Sequence, residues 1–399
     1  TLSFLEYSTS GSAWNPGNTG FTGSSLSGLS LEDVAALMAV HSQDLLDELF
    51  HTAKSVKEEI YGNRIVLFAP LYISNLCSNE CLTAHSDDPN KEAIRRALNP
   101  DEIRQETKIL LRQGQSVNLA PLSVEDFRRL KERNIGTFQL FQETYHRPTY
   151  GRVQLAGPKK DLDWRASTTW AWGCSTGLYD WRFETLALMA HIAHLEERFG
   201  VGCRTISVRI EPAIGSDLAS RPPYTLNDQD FLKLVAILRL AVPYTGIIMS
   251  TREKPAIRQR TLELGVSQIS AGSRTNPGGY QESSQFEAAQ FQLGDHRSLA
   301  EVIADLGQHK FIPSFCTGCY RLGRTGKDFM GLAKPGLIKE KCAPSALSTF
   351  EEYLLDTAHP KRGGRVARIA AALDGMDGRI RKVSENLAKV RDGRRDAYC

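Results

Sequence analysis

The sequence predicts an α/β protein whose parallel strands form a sheet or a barrel. Amphipathic stretches that end at glycine or proline alternate with short runs rich in Val, Ile and Phe. Parallel strands need crossover connections, and a helix between each pair of strands supplies them. Hydrophobic residues make up 41% of the 399 residues and charged residues 24%, a balance typical of a globular chain with a large core.

Six strands can be assigned, and each follows a helical pattern. They are RIVLFAP (64–70), SVNLAP (116–121), TFQLFQ (137–142), TISVRI (205–210), GIIMST (246–251) and VSQISA (266–271). An eight-stranded barrel requires two more, one between Gly114 and Ser116 and one around residues 165–177. We expect both to be truncated, because LLRQGQSVNLAP passes from helix to strand almost without a connection and STTWAWGCSTG shows neither period.

The two ends of the chain differ from its centre. Residues 8–30 are rich in Ser, Gly, Thr and Asn and cannot bury enough apolar area to fold. The tail after about residue 360 is strongly basic and partly helical in period, which indicates a solvated helix or a docking surface for an acidic partner. We therefore expect a flexible arm (1–30), an N-terminal helical segment (31–62), a barrel (63–308) and a C-terminal extension (309–399).

Charge and cysteine usage narrow the class of protein. A net charge of +3 does not indicate nucleic-acid binding, and the longest apolar run, IVLFAPLYI, has about half the length of a membrane helix. No charged-then-apolar signal opens the sequence, so we expect a cytoplasmic protein without a membrane partner. Five of the eight cysteines fall in two local groups, and such grouping in a cytosolic chain favours metal or redox chemistry over disulfides.

The strongest motif is FCTGCYRLGRTGKDFMGLAKPGLIKEKCAP near the C-terminus. Cys316 and Cys319 have the Cys-x2-Cys spacing, and Cys342 supplies a distant third thiolate. Three cysteines without a fourth leave an open coordination position, which suits a [4Fe–4S] cluster that binds an exogenous ligand. The basic residues that follow can offset the negative charge of a cluster: Arg321, Arg324 and Lys327. A structural zinc with a fourth ligand elsewhere and a chance grouping of cysteines are the alternatives.

A second pair of thiols, Cys77 and Cys81, follows the first predicted strand. The pair therefore falls at the C-terminal end of that strand, where α/β barrels carry their chemistry. A Cys-x3-Cys pair alone is a weak signal, and two ordinary thiols are the alternative. His85 is either a nitrogen ligand of the same site or a solvated loop residue.

Polar side chains also follow two other predicted strands. ISAGSRT ends its strand at Arg274, which could hold a carboxylate in a bidentate fork or be a plain surface residue. QETYHRPTYG places Glu143, Tyr145 and His146 directly after the strand TFQLFQ. His146 suits either a proton shuttle or a structural hydrogen bond.

These segments together closely resemble one enzyme family. YGNRIVLFAPLYISNLC, GTFQLFQETYHRPTYG, GLYDWRFE, SQISAGSRT and PSFCTGCYRLGRTGKDFM are similar to the HydG family of radical S-adenosylmethionine (SAM) tyrosine lyases, the maturases of [FeFe]-hydrogenase. The thiamine-pathway lyase ThiH is the nearest relative of that family. The resemblance runs from about residue 31 to residue 357, and the C-terminal cysteine triplet favours HydG over ThiH.

The resemblance implies a radical-SAM (β/α)8 TIM-type barrel with a C-terminal cluster-binding extension. It implies that a radical from SAM starts the cleavage of the tyrosine Cα–Cβ bond, giving p-cresol and dehydroglycine, and that dehydroglycine becomes CO and cyanide on iron for the hydrogenase H-cluster. The implied cofactors are SAM, its [4Fe–4S] cluster and an auxiliary [4Fe–4S] cluster, with an additional iron left open. L-tyrosine and other hydrogenase maturation proteins are the implied partners.

Site residues follow from the resemblance by position. Cys77 and Cys81 are two ligands of the SAM cluster, and the second cluster is held by Cys316, Cys319 and Cys342. Glu143 and Arg165 are assigned to cofactor binding, and Ser273 and Arg274 lie where tyrosine binds.

The sequence departs from the family at several of these places. The family continues its first motif with an aromatic residue, a third cysteine and a glycine, whereas Leu82, Thr83 and Ala84 follow Cys81 here. The SAM-binding Gly-Glu stretch on the second strand has no counterpart. Arg204 occupies the position of a histidine that ligates the extra iron, next to Cys203. A non-catalytic iron–sulfur carrier and a ThiH-like lyase for thiazole synthesis therefore remain alternatives.

We hypothesise that the natural chain carries further segments at about residues 83, 115 and 169. The losses all fall at abrupt joins whose flanking sequence still matches, and removing single strands breaks the hydrogen-bond ladders of a barrel. The purified protein should therefore be heavier than the 44.3 kDa of this sequence. An intact-mass measurement that returned 44.3 kDa would contradict the hypothesis and favour a degenerate relative.

Overall fold

The structure, a computed structural model, describes most of the chain. The described residues are 28–76, 80–81, 95–110, 117–118, 125, 128–129, 132, 138–157, 160–163, 172–210, 218, 221–281, 292–357, 379–395 and 397–398. The backbone alone is described for residues 80–81, 117–118, 138–142, 172–176, 209–210 and 379–384.

Eight strands form one parallel sheet, and two short strands pair separately. The ten strands are β1 (Arg64–Phe68), β2 (Glu80–Cys81), β3 (Val117–Asn118), β4 (Phe138–Gln142), β5 (Gln154–Ala156), β6 (Trp172–Thr176), β7 (Thr205–Ile210), β8 (Gly246–Met249), β9 (Gln268–Ser270) and β10 (Ile312–Ser314). The order in the sheet is β10-β1-β9-β8-β7-β6-β4-β3, while β2 and β5 form an antiparallel pair.

Helices connect these strands and extend the chain at both ends. Their bounds are α1 (Leu31–Met38), α2 (Gln43–Tyr61), α3 (Pro100–Leu110), α4 (Arg147–Val153), α5 (Trp181–Phe199), α6 (Asp228–Ala241), α7 (Pro255–Leu264), α8 (Leu299–Gln308), α9 (Gly318–Arg321), α10 (Lys327–Ala333), α11 (Ile338–Asp356) and α12 (Arg379–Arg391). No helix in the described part of the chain is long and apolar enough to cross a membrane.

In the part of the chain that the structure describes, the strand order is that of a (β/α) barrel with one position unfilled. Strands β3 to β9 follow one another in the order of the chain, apart from the separate strand β5, and β9 then pairs with β1 in parallel, with Leu67 opposite Ile269. This pairing of the last barrel strand with the first is the one that closes a barrel. Among the described residues, the sheet has no strand that comes between β1 and β3 in the chain, and β10 pairs with the free edge of β1 instead.

One expected loss is wrong and the others fall outside the described residues. The strand β6 pairs in parallel with β4 and with β7, so the strand expected to be truncated around residues 165–177 is present. Its residues, WGCST, show no alternation because ladders on both sides support the strand and not its own apolar pattern. Residues 83, 115 and 169, where additional segments of the natural chain were predicted, lie outside the described part of the chain.

The helices pack around the sheet and form one continuous apolar core. The long helical pattern before β1 is divided into α1 and α2, and α1 begins with a capping box between Ser30 and Asp33. Lys233 of α6 donates to the carbonyl oxygens of Met38 and Val40, at 3.2 and 2.9 Å, and so ties α6 to the end of α1. In the C-terminal extension, α11 packs against α2, β10 and α12.

Two glycines allow helices to turn directly towards barrel strands. Gly62 ends α2 with φ 63° and is followed at once by β1, and Gly200 ends α5 with φ 66° ahead of β7. A side chain at either position would be strained, because the left-handed region disfavours residues with a Cβ atom.

A fully buried arginine links α6 to the segments that precede β8 and β9. The Arg239 guanidinium donates to the carbonyl oxygens of Pro243 at 2.7 Å, Thr245 at 2.9 Å and Gly265 at 2.6 Å. Burial lowers the pKa of Arg239 to about 10, so its charge is retained at neutral pH. One side chain thereby donates hydrogen bonds to three backbone carbonyl groups that are buried away from water.

We expect Arg239→Met to destabilise the fold strongly. Three buried carbonyls lose their donor, and each such loss costs about 1 to 3 kcal/mol, so the free energy of unfolding should fall by at least about 3 kcal/mol. Urea unfolding followed by circular dichroism measures the change. Arg104→Met on α3 is the control, because the Arg104 side chain is 64% exposed. Equal losses in the two variants would contradict a structural role for Arg239.

Candidate functional site

The loop after β4 is held in place by a buried carboxylate of α5. Glu184 is 1% exposed and accepts hydrogen bonds from the Thr144 hydroxyl and, at 2.8 Å, from the Tyr145 backbone N–H. Glu143, predicted to bind a cofactor, is itself buried directly before these two residues. Glu184 therefore fixes the backbone that carries Glu143.

His146 lies in an aromatic group at the same end of the sheet. Its ring stacks on Tyr179 with centroids 3.7 Å apart, and Phe183 meets both rings edge-on. The Nδ1 atom of His146 lies 2.8 Å from the Thr149 hydroxyl. Burial, followed by the charge of Arg152, lowers the pKa of His146, so its neutral form is favoured. The structure thus gives His146 packing and hydrogen-bond contacts of its own.

The segment after β9 presents a polar pair that was predicted from the sequence. Ser273 is 3% exposed, and among the described residues its hydroxyl has no hydrogen-bond partner. The backbone N–H of the half-buried Arg274 donates to the Tyr280 hydroxyl at 3.1 Å, and that hydroxyl donates to the Pro70 carbonyl oxygen at 2.9 Å. Tyr280 therefore connects the ends of β9 and β1.

A buried acid supports Tyr280 from behind. Glu106 of α3 is 1% exposed and accepts from the backbone N–H groups of Tyr280 and Gln281, at 3.2 and 2.7 Å. Burial raises the pKa of Tyr280, so its hydroxyl stays protonated and remains a donor. The Ser273–Arg274 segment thus rests on a rigid support.

Several predicted residues of the first site cannot be placed. Cys77, His85 and Arg165 lie outside the described residues. Cys81 belongs to β2, whose backbone pairs with Gln154 in β5. The structure therefore brings Glu143, Ser273 and Arg274 to the C-terminal ends of the strands and leaves the other members of the predicted set unplaced.

The three C-terminal cysteines gather between β10, α9 and α11. Cys316, Cys319 and Cys342 are free thiols, each half-buried. Burial and the nearby Cys342 raise the pKa of Cys316 to about 11, and the same two causes raise the pKa of Cys319. The mutual influence means that the thiols are neighbours. Thr349 of α11 accepts from the Phe315 N–H at 3.2 Å and so ties α11 to the segment carrying Cys316.

Arginines surround these thiols and leave donor atoms without partners. Arg204 and Arg64 oppose the rise in the pKa of Cys319. The Nε atom of Arg64 and the Nη1 atom of Arg204 are buried and have no hydrogen-bond partner among the described residues. A buried donor on a charged group is costly unless an acceptor meets it. The site therefore fits an anionic occupant, as an iron–sulfur cluster with thiolate ligands is.

A single metal ion and a cluster make different demands on thiol geometry. A structural zinc needs its ligands to converge on one point, whereas each thiolate of a [4Fe–4S] cluster binds a different iron. Among the described residues, no three His, Cys, Asp or Glu side chains are grouped to hold one metal ion.

Residues 203 and 204 offer no ready ligand for an additional iron. The Arg204 guanidinium carries N–H donors and no acceptor atom, so it offers no lone pair to a metal. The Cys203 thiol is buried and donates to the Thr205 carbonyl oxygen at 3.2 Å. The guanidinium of Arg204 instead lies over the rings of Tyr320 and Phe329, 4.4 and 4.1 Å from their centroids.

The two candidate sites lie at opposite ends of the strands. Glu143 and Ser273 follow the last residues of β4 and β9, whereas Arg64 opens β1 and Arg204 immediately precedes β7. The thiols, which lie near the latter two residues, are therefore close to the starts of the strands. The extension that carries them covers that end, since Lys334, just after α10, pairs with Glu196 of α5.

Sequence reasoning missed the residues that support these sites. In the sequence, Glu184 and Glu106 are ordinary helical glutamates and Tyr280 is an ordinary loop tyrosine. Only their burial and their hydrogen bonds show their roles. Arg64 is the first residue of a strand that was predicted, but its closeness to the thiols depends on the pairing of β1 with β10.

A barrel of this order with polar residues at the strand ends, joined to a thiol-bearing extension, defines a (β/α)-barrel protein with a C-terminal thiol site. Residues 208–312 match the family described as the Biotin and Thiamin Synthesis associated domain. A crystal structure of HydG, a maturase of the [FeFe]-hydrogenase, superimposes with a TM-score of 0.87 at 39% identity over 94% of this chain and 93% of that one. The chain belongs to the HydG family.

Two further relatives agree with this assignment. The structure of HydG from Carboxydothermus hydrogenoformans has a TM-score of 0.76 at 37% identity and covers 90% of both chains. The 2-iminoacetate synthase of Escherichia coli K12 is 26% identical over 344 residues, which are 75% of this chain and 90% of the relative. The radical-SAM fold predicted from the sequence is thereby confirmed.

We expect Cys319→Ala to lower the bound iron of the reconstituted protein by about one cluster. Loss of one of three ligands leaves a cluster with two thiolates, which hold it poorly. Iron and acid-labile sulfide per chain are the measurement. Cys203→Ala is the matched control, because this buried thiol is engaged with the Thr205 carbonyl. Unchanged iron in Cys319→Ala, or an equal loss in Cys203→Ala, would contradict the assignment.

Proposed function

We propose that the chain is a tyrosine lyase that cleaves the Cα–Cβ bond of L-tyrosine to p-cresol and dehydroglycine, and that dehydroglycine yields CO and cyanide at the second site. The observation that carries this proposal is the thiol triad beside two buried arginine atoms that have no partner among the described residues. This triad lies at one end of the strands, and Ser273 and Arg274 lie at the other. The names of the relatives, a maturase of the [FeFe]-hydrogenase and a 2-iminoacetate synthase, support both halves of it.

Two groups of cysteines would hold the clusters. Cys77 and Cys81 are assigned to a [4Fe–4S] cluster that binds SAM, and Cys316, Cys319 and Cys342 to an auxiliary [4Fe–4S] cluster. The chemistry that bound SAM and its cluster supply is a radical that removes a hydrogen atom from the tyrosine amino group. Glu143 and Arg165 are proposed to orient SAM.

The substrate is proposed to bind at the end of β9. The Ser273 hydroxyl is buried without a partner among the described residues, and a carboxylate or amino group of tyrosine can engage it. Arg274 can bind the tyrosine carboxylate with its guanidinium. The Tyr280 hydroxyl accepts from the Arg274 backbone N–H and donates to the Pro70 carbonyl oxygen. These bonds keep Ser273 and Arg274 in a fixed orientation towards the bound substrate.

Glu184 is proposed to be a positioning residue for the cofactor. Its carboxylate fixes Thr144 and Tyr145, and these follow Glu143 directly. Other hydrogenase maturation proteins are the proposed recipients of the product, and the cytoplasm is the proposed location. The domain limits proposed from the sequence are the arm (1–30), the helical segment (31–62), the barrel (63–308) and the extension (309–399).

A non-catalytic iron–sulfur carrier is the second candidate. The motif after β1 has two cysteines and not three, and β10 pairs with the edge of β1 that a second barrel strand needs. Both features weaken SAM chemistry and leave the C-terminal thiols intact. A lyase that makes dehydroglycine for thiazole synthesis is less favoured, because that function does not require the three C-terminal cysteines.

The experiment is a product assay on the reconstituted protein. With SAM, tyrosine and dithionite we expect p-cresol and 5′-deoxyadenosine, detected by chromatography. Arg274→Gln should reduce p-cresol formation at least about 10-fold, since a bidentate charged contact with the substrate is lost. The exposed Arg394→Gln should retain wild-type activity. Absence of both products with iron still bound would favour the carrier.

A further inference from the structure

A buried ion pair supports the end of β9, from which the chain continues to the residues proposed to bind tyrosine. Arg258 of α7 and Asp295, in the segment before α8, are both buried, and the Arg258 guanidinium donates to the Asp295 carboxylate. A second nitrogen of the same guanidinium donates to the carbonyl oxygen of Ser270, the last residue of β9. The ion pair therefore holds the strand end that leads to Ser273.

Asp295 also holds the segment just after the neighbouring strand β8. Its backbone N–H donates to the Thr251 carbonyl oxygen at 2.9 Å, and the Gly294 N–H donates to the same oxygen at 3.0 Å. A Cβ atom at Gly294 would overlap with the Arg252 carbonyl oxygen, so this close approach requires glycine. The Thr251 N–H in turn donates to the Ser270 hydroxyl at 2.9 Å. One group of hydrogen bonds thus joins the ends of β8 and β9.

The Asp295 carboxylate stays charged although it is buried. Burial acts to raise its pKa, but hydrogen bonds from Arg297 and the charge of Arg258 lower the pKa below its ordinary value. Arg297 donates to both carboxylate oxygens, from Nε at 2.9 Å and from Nη2 at 2.7 Å. Charge-assisted bonds of this kind are strong, so Asp295 is a fixed anchor for Arg258.

The turn that follows Ser270 is tightly packed and has a restricted conformation. Gly272 has φ 59°, in the left-handed region that favours glycine. A Cβ atom on Gly272 would lie 3.3 Å from the backbone nitrogen of Leu299, at the start of α8. Because close-packed interiors transmit strain, a displacement of the Ser270 carbonyl is passed along this turn to Ser273 and Arg274.

We propose that Asp295, acting through Arg258, is a positioning residue that places Ser273 and Arg274 for the tyrosine carboxylate. This inference rests on the proposed function, since it takes tyrosine as the ligand of these two residues. The ion pair does not itself touch the substrate. It keeps the guanidinium of Arg274 where a carboxylate can meet it, so its loss weakens recognition of the carboxylate more than recognition of the rest of the ligand.

Tyrosine and tyramine test the proposal, because tyramine is tyrosine without the carboxylate. Calorimetric titration of the iron-loaded full chain without SAM measures both affinities. We expect wild type to prefer tyrosine. Asp295→Asn, which keeps the shape and removes the charge, should lower this preference about 10-fold, the range for losing one hydrogen bond to a charged group. A variant that is merely less stable would keep the wild-type preference, since both ligands would be affected equally.

Asp305→Asn is the matched control. Asp305 of α8 also accepts from Arg297, at 2.7 Å, but its hydrogen bonds within the described part of the chain do not involve the segments after β8 and β9. Its preference for tyrosine should stay within about twofold of wild type. Arg258→Gln leaves Asp295 paired with Arg297 and should lower the preference as Asp295→Asn does.

Iron content and melting temperature verify that each variant is loaded and folded, and Arg258→Gln decides if Asp295→Asn is not. An unchanged preference in both Asp295→Asn and Arg258→Gln, or an equal loss in Asp305→Asn, overturns the proposal. Equal affinity of wild type for tyrosine and tyramine overturns it as well.

The product assay separates this inference from the proposed function. If wild type makes no p-cresol while the preference falls in Asp295→Asn and not in Asp305→Asn, the lyase is refuted and the positioning role stands. If p-cresol forms while Asp295→Asn and Arg258→Gln keep the wild-type preference, the positioning role alone is refuted.

Discussion

Buried positive charge at the starts of the barrel strands is the constraint on which the rest of the molecule depends. Lys57, Arg64 and Arg239 are all buried, and both arginines lie close enough to Lys57 to influence its pKa. Burial lowers the pKa of Lys57 to about 7, which shows how costly additional charge is there. A fold can keep such cations only by giving them acceptors, and this chain uses two different kinds.

Backbone carbonyl groups of the fold are the first kind of acceptor, and an anion bound at the thiol site would be the second. Arg239 is satisfied entirely by backbone carbonyls, and so it fixes α6 against the strands without needing a ligand. Arg64 and Arg204 have buried atoms that the described protein does not satisfy. Positive charge therefore stabilises the barrel at Arg239, and it keeps unpartnered donor atoms among the described residues where the extension brings the thiols.

The periodic parts of the molecule could be predicted from the sequence, and the long-range parts could not. The bounds of β7 agree with the segment TISVRI, because an alternating apolar run fixes a strand locally. The strand β6 and the short strand β10 were not predicted, since neighbouring ladders and not their own composition hold them. The cysteine spacing likewise indicated the second site, whereas Arg64 joins it only through sheet pairing.

The strand β10 explains how the first barrel strand is covered, although no second barrel strand lies beside it in the described part of the chain. Beside β1 the ladder would end at an exposed edge, and an unpaired edge invites association with other chains. The pairing of Arg64 with Ile312 and of Val66 with Ser314 covers this edge with the segment that leads to Cys316. Only Phe315 separates the end of that ladder from the first thiol, so the position of the triad depends on β1. A second barrel strand at this edge would have to displace β10 from β1. Because the segment after β10 carries Cys316, that displacement would also move the thiol site.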